Sequence, residues 1–112
     1  MPVEQWSDKI WIVHLENEPG LSDDLTSVRE KMMHVKPTPS VIVDFAGVTH
    51  VNSSNLSQLL RIRKECIDRD TKLRLAALSD QLWAVFLTTG LDKVFDFTED
   101  VPLALAGLQI GE

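Results

Sequence analysis

The stretch that decides the fold is VIVDFAGVTHVNSSNLSQLL, residues 41–60. It begins with Val41–Phe45, a β-branched run without polar–apolar alternation, which is typical of a strand covered on both faces. Gly47 marks a bend, and a polar segment follows. Beyond that segment, apolar residues recur at helical spacing on one face of a predicted helix, namely Leu56, Leu59, Leu60, Cys66 and Ile67. A buried strand followed directly by an amphipathic helix is typical of an α/β domain.

The polar segment contains four small residues in a row, Asn52, Ser53, Ser54 and Asn55. Asn and Ser are preferred N-cap residues, and one cap stabilises a helix by about 1 kcal/mol. One cap is enough, although four candidates stand together here. A serine at a helix N-terminus also suits a phosphate, because free N–H groups and the positive end of the helix dipole stabilise the anion. By themselves, these residues favour capping over such a switch.

Strands and helices alternate on both sides of this stretch. Ser22 is the predicted cap of the first helix and Pro37 ends it, whereas Ser79 caps the third helix and Gly90 stops it. The last helix begins at Thr98 or Asp100 and runs through Leu108. Further strands are predicted at Val3–Trp6, Lys9–Leu15, Leu73–Leu78 and Val94–Phe97.

This order predicts a single α/β domain over residues 1–112. Its sheet is expected to be mixed or parallel, with about four to five strands packed against about four helices.

Charge and cysteine content restrict the partners and the compartment. The net charge of −6 argues against general binding to nucleic acid or anionic membrane, because both need clustered Lys and Arg. Cys66 is the only cysteine, which fits a reducing compartment. The start of the chain has no apolar signal region, and no apolar run is long enough to span a bilayer. We therefore expect a cytoplasmic protein, in which the glycosylation sequons at 52–54 and 55–57 have no effect.

The sequence contains no recognisable catalytic or metal-binding motif. The spacing of its three histidines matches no common metal set, and no phosphate-binding or nucleophile motif occurs. Cys66 lies on the apolar face of its helix, where burial raises a thiol pKa. His14 is interpreted as a strand residue with a hydrogen-bonded ring and Trp11 as core, while Trp6 or Trp83 is expected to be partly exposed at a partner surface. We predict no catalytic residue, metal or cofactor.

Three stretches carry a resemblance to a known family, the STAS domain, and in particular to bacterial anti-sigma-factor antagonists. Residues 41–60 are similar to the family's pattern of strand, Asp, short loop and Asp-Ser-Ser-Gly opening a helix. Residues 73–79, LRLAALS, precede the expected helix, and residues 89–95, TGLDKVF, are similar to the family's TGLDKLF. The resemblance covers the chain from Lys9 onward.

The resemblance implies a regulatory binding module without catalysis. Such a protein binds an anti-sigma factor, which is usually also a serine kinase, and thereby frees a sigma factor. The kinase phosphorylates a serine at the start of this helix, and a phosphatase removes the phosphate again. That serine corresponds to Ser53, with Asn52, Ser54 and Asn55 supporting the loop or capping the helix. The implied partner-contacting residues are Ser53, Asn55 and Ser57, and we expect a monomer or a weak dimer.

The chain departs from the family's pattern at two positions of its most informative motif. Asn52 stands for the family's Asp, and Asn55 stands for its Gly. Asn52 keeps the capping ability but lacks the charge, and Asn55 adds a side chain. A non-phosphorylated STAS scaffold or docking subunit, whose serines only cap the helix, therefore remains an alternative. An enzyme that uses Cys66 or a histidine is the least favoured reading of the sequence.

Overall fold

A five-stranded mixed sheet organises the molecule, with strands in the order β1-β2-β3-β4-β5. A computed structural model describes residues 3–110. The strands are β1 (Val3–Gln5), β2 (Ile10–Glu16), β3 (Ser40–Gly47), β4 (Leu73–Ala76) and β5 (Asp96–Thr98). The α-helices are α1 (Leu21–His34), α2 (Ser53–Asp68), α3 (Asp80–Thr89) and α4 (Val101–Gln109), and a 3₁₀ turn covers Leu91–Lys93.

Strand pairing follows the order of the elements. The β1 strand is antiparallel to β2 across a short turn, whereas β2, β3, β4 and β5 are all parallel. Parallel neighbours need a crossover connection, and α1, α2 and α3 supply the three that are required. The predicted fold class, α/β with a mixed sheet of four to five strands and about four helices, is confirmed within residues 3–110.

The two faces of the sheet carry cores of different size. Val41, Val43 and Phe45 of β3 belong to the larger core, which α1, α2 and α3 cover. Ile42, between them, belongs to the smaller core, where Ala104 of α4 packs. All four β3 side chains are at most 1% exposed. The interpretation of this run as a strand covered on both faces is confirmed, because successive side chains of a strand point to opposite faces.

The buried face of α2 differs from the predicted one. Leu60 and Ile67 are 37% and 55% exposed, whereas Ile62 is fully buried. The core face is formed by Leu56, Leu59, Ile62 and Cys66, at steps of three and four. The sequence prediction omitted Ile62, which stands between two arginines. Leu60 and Ile67 lie on the side of the helix that faces the solvent.

Several element boundaries also need correction. Ser22 does not cap α1: the N-cap is Gly20, two residues earlier, and no side chain accepts a cap hydrogen bond there. The last strand runs over Asp96–Thr98 rather than Val94–Phe97. Of the two starts proposed for α4, Asp100 is the cap, because its Oδ1 accepts the Leu103 N–H at 2.9 Å. The predicted cap at Ser79 and the left-handed stop at Gly90 are confirmed.

Candidate functional site

The candidate site lies where β3 ends and α2 begins. In a parallel sheet, the loops after the carboxyl ends of neighbouring strands meet at one edge, and ligands usually bind there. The loop after β2, with Asn17 and Glu18, and the loop after β3, with His50 and Asn52, therefore approach each other. They line an open cavity of about 310 Å³ together with Val51 and Asn55.

A reciprocal pair of asparagines forms the start of α2. The Asn52 side chain accepts the Asn55 N–H at 2.8 Å, and the Asn55 side chain accepts the Asn52 N–H at 2.9 Å. This capping box satisfies two backbone donors that a helix N-terminus leaves without partners. Asn52 is the N-cap, with extended backbone angles, so the serines that follow it belong to the first turn of the helix.

Asn55 is a buried connector between α2 and α1. Its side chain is 1% exposed, and its Nδ2 donates to the Ser22 Oγ at 3.2 Å and to the Gln58 Oε1 at 3.4 Å. A partner has no access to a side chain that is fully covered and already bonded. The prediction that Asn55 contacts a partner is therefore corrected, and its position assigns it to the support of the loop.

Polar side chains extend this connection along α1. Gln58 donates through Nε2 to the Ser22 carbonyl and to the Thr26 Oγ1, both at 2.9 Å. Ser22 in turn donates its N–H and its hydroxyl to the Glu18 carboxylate, at 2.9 and 2.5 Å. The bond from the Ser22 hydroxyl, then that from its N–H, lowers the pKa of Glu18, so this exposed carboxylate is charged at neutral pH.

Sequence reasoning missed Glu18, Ser22 and Gln58. Ser22 and Gln58 bond partners that lie 32 to 36 residues away across the α1–α2 contact, and a local sequence pattern carries no information about such pairs. Glu18 lies only four residues from Ser22, but its role depends on that same contact.

Ser53 and Ser54 present free hydroxyls to solvent. Both residues are exposed, and within residues 3–110 neither hydroxyl has a hydrogen-bond partner. The Asn52–Asn55 pair forms the capping box without Ser54, and a role of Ser54 in supporting the loop stays a prediction. Ser57, one turn further along α2, is also exposed. Ser53, Ser54 and Ser57 thus form the accessible polar surface at this end of the helix.

The loop before this surface is held from the β2 side. The Asn17 Oδ1 accepts the Thr49 N–H at 2.9 Å and the His50 N–H at 3.3 Å, and its Nδ2 donates to the Thr49 Oγ1 at 3.0 Å. Thr49 also contacts the His50 Nδ1 at 2.9 Å. The loop is therefore hydrogen-bonded to the β2 side through Asn17 and, through Asn55, to α1. These bonds hold the backbone at Ser53 in a defined position.

His14 and Cys66 have the environments expected for structural residues. The His14 Nδ1 lies 2.8 Å from the Asp44 Oδ2 and its Nε2 lies 3.0 Å from the Glu4 Oε1. Hydrogen bonds to Glu4 and then to Asp44 raise the pKa of His14. Burial raises the pKa of the Cys66 thiol, as its place on the apolar face predicted. Among the residues that the structure describes, no group of three ligand-type side chains could hold a metal ion.

The tryptophans occupy the environments expected for them. Trp11 is 3% exposed and belongs to the larger core. Trp6 and Trp83 are 41% and 38% exposed.

The fold and this helix start define a STAS domain. The family model of the STAS domain matches residues 6–104, and the chain belongs to that family. No curated protein sequence matches the chain significantly. None of the helices within residues 3–110 is long and apolar enough to cross a membrane.

Solved structures of similar shape come from several bacteria. A candidate anti-sigma factor antagonist from Thermotoga maritima is 14% identical, with a TM-score of 0.83 over 96% of this chain and 93% of that one. An anti-sigma-factor antagonist (STAS) domain protein from Planctomyces limnophilus is 18% identical, with a TM-score of 0.81 over 96% of both chains. A sulfate transporter family protein from Wolinella succinogenes is 18% identical, with a TM-score of 0.79 over 90% of this chain and 85% of that one. At these identities, the likeness is one of fold.

Proposed function

We propose that this STAS domain is an anti-sigma-factor antagonist, a binding module rather than an enzyme, that is switched by phosphorylation of Ser53. The observation that carries the proposal is the exposed Ser53 hydroxyl at the first position of α2, which makes no hydrogen bond within residues 3–110. Membership of the STAS family and the likeness to antagonist structures support the class of function.

The N-terminus of α2 is capped by asparagines rather than by serines, which supports a role for Ser53 other than helix stabilisation. Asn52 and Asn55 already satisfy the donors that a capping serine would satisfy. If the serines served only as caps, their side chains would be expected to bond the backbone of the first turn. The Ser53 hydroxyl has no such bond, so it is available to a kinase.

A phosphate on Ser53 would change the charge of this surface. It would add about −1.5 to −2 charges at pH 7. The N–H groups of the first turn and the positive end of the α2 dipole would stabilise it without any rearrangement of the helix. The first turn of α2 has no acidic residue of its own, and the nearby Glu18 carboxylate on the loop after β2 is already charged, so the phosphate would make this surface more negative. A partner that docks on the unphosphorylated surface would then have to desolvate a further anion, which weakens binding.

The proposed partners are an anti-sigma factor with serine-kinase activity and a phosphatase. They meet the chain at Ser53 and Ser57, and we further propose that the exchange takes place in the cytoplasm, with the domain acting as a monomer or weak dimer. The ATP site belongs to the kinase in this scheme. The domain supplies only the acceptor hydroxyl and the docking surface.

Phosphopeptide mapping of the protein from its native cells, with co-purified partners identified in the same sample, tests the proposal. We expect phosphate on Ser53 and a serine kinase of the anti-sigma type among the partners. Ser53→Asp should weaken binding to that partner by at least tenfold, because about 1.4 kcal/mol of added desolvation is enough for that factor.

Ser54→Asp is the matched control, since it puts the same charge on the neighbouring exposed position. An unmodified Ser53 under all growth and stress conditions, with undiminished binding by Ser53→Asp, would refute the switch. The chain would then be a constitutive docking subunit.

A further inference from the structure

A second cavity lies at the opposite end of the sheet from Ser53. It has a volume of about 220 Å³ and sits between the last two turns of α2, the start of β4 and the residues that enter β5. At 1.5 Å per residue, Arg63 on its wall is about 15 Å along α2 from Ser53. The cavity is therefore separate from the candidate phosphorylation site, and nothing in the proposed switch uses it.

Two guanidinium groups stand at the walls of this cavity, each oriented by a backbone carbonyl. The Arg63 Nε donates to the Val94 carbonyl at 3.0 Å, and the Arg74 Nη1 donates to the Leu73 carbonyl at 3.3 Å. All four residues line the cavity, as does Lys72. The side chain of Arg74 is only 13% exposed. Positive charge is thus concentrated here in a chain whose net charge is −6.

The negative charge available nearby is smaller. Among the lining residues that the structure describes, Asp96 is the one carboxylate; it pairs with the Arg74 Nη1 at 3.1 Å, and its own side chain is 75% exposed. Across the part of the chain that the structure describes, neither the terminal nitrogens of Arg63 nor the Lys72 Nζ has a partner. Within residues 3–110, Arg63 and Lys72 are therefore two cations at this cavity without a carboxylate partner.

Other groups near the cavity do not oppose an anion. Cys66 lines it, and burial raises the pKa of this thiol, which keeps it neutral. The carbonyls at the end of α2 would repel an anion, but Glu65, Cys66 and Ile67 already accept the N–H groups of the residues that follow the helix. The remaining wall contains the buried apolar side chains of Leu73 and Phe95.

We propose that this cavity, called here the Arg63–Arg74 cleft, binds a phosphate group, either free phosphate or the end of a small metabolite. Guanidinium groups match tetrahedral oxyanions through paired N–H donors, and such charge-assisted bonds are about twice as strong as neutral ones. An anion between Arg63 and Lys72 would also relieve the repulsion between the two cations. The volume admits a phosphate with a short carbon chain but is below the range usual for larger cofactors.

Titration of the full-length protein with inorganic phosphate, in a buffer free of other oxyanions and at low salt, tests the site. Binding should be saturable with a Kd of about 1 mM or tighter by calorimetry, as about two or three charge-assisted contacts allow. Backbone amide signals of Lys72, Val94 and Asp96 should shift in NMR spectra, while that of Ser53 should not. A parallel titration with glycerol 3-phosphate separates the two sources: tighter binding identifies a metabolite, and equal binding identifies free phosphate.

Two charge-matched variants make the test specific. Arg63→Gln should weaken phosphate binding by about tenfold, which corresponds to about 1.4 kcal/mol. Arg61→Gln removes the same charge from an exposed position of α2 outside the cleft and should change the affinity by less than twofold. If Arg63→Gln fails to fold, Lys72→Gln replaces it, because Lys72 is exposed. Absence of saturation at about 20 mM phosphate, or equal weakening by Arg61→Gln, would overturn the proposal.

Discussion

Replacing Asn55 by alanine tests the buried connection between α1 and α2. The substitution removes the acceptor of the Asn52 N–H at 2.9 Å and the donors to Ser22 and Gln58 at 3.2 and 3.4 Å. Loss of the capping acceptor costs about 1 kcal/mol. The two longer bonds in this buried site contribute about 1 to 1.5 kcal/mol together, and the better helix propensity of alanine offsets about 0.5 kcal/mol. We expect the free energy of unfolding to fall by about 1.5–2 kcal/mol.

Urea and thermal unfolding measure this change. For a domain of this size, about 1.5–2 kcal/mol corresponds to a decrease in Tm of roughly 6–9 °C. Ser54→Ala is the matched control on the same helical turn, since its hydroxyl is exposed and unbonded; it should change stability by at most about 0.5 kcal/mol. A loss below about 0.5 kcal/mol for Asn55→Ala would refute the assignment of Asn55 as a structural connector.

Three further predictions follow from other parts of the fold. The pKa of His14 is raised above 6.5, so its contribution to stability should be complete below pH 6.5 and should decrease as the pH rises through the folded pKa. Urea unfolding at a series of pH values should show this decrease in the free energy of unfolding, and His14→Gln should make the decrease smaller. Ile62→Ala should destabilise the domain by about 2–5 kcal/mol and Ile67→Ala by about 0.5 kcal/mol or less, and similar losses in urea unfolding would contradict the corrected face of α2. Gly47→Ala should lower the free energy of unfolding by about 1–3 kcal/mol in the same assay, because the new Cβ would lie 2.9 Å from the Leu15 carbonyl oxygen. An unchanged stability would contradict this and would mean that the backbone between β2 and β3 shifts at little cost.

Local patterns in the sequence were enough to predict the order and type of the elements. The β-branched run at Val41–Phe45, the cap at Ser79 and the stop at Gly90 depend on neighbouring residues and on backbone preferences, so each was predictable. Errors arose where a local pattern had two solutions. Ser22 is a good cap by type, but in the structure it lies inside α1 and bonds the Glu18 carboxylate, which the preceding turn places within reach.

The sequence by itself determined the strand and helix order, the α/β class and the position of Ser53 at a helix start. Only the tertiary structure decided what the side chains at that start do. Asn55 meets Ser22, and Gln58 meets Thr26, because α1 packs against α2 and brings together residues more than 30 positions apart. Helical and strand periodicities carry information about a face and its polarity, but the identity of a distant partner depends on how the elements pack. For that reason only the tertiary structure shows that Asn52 caps α2 and that the Ser53 hydroxyl makes no hydrogen bond within residues 3–110.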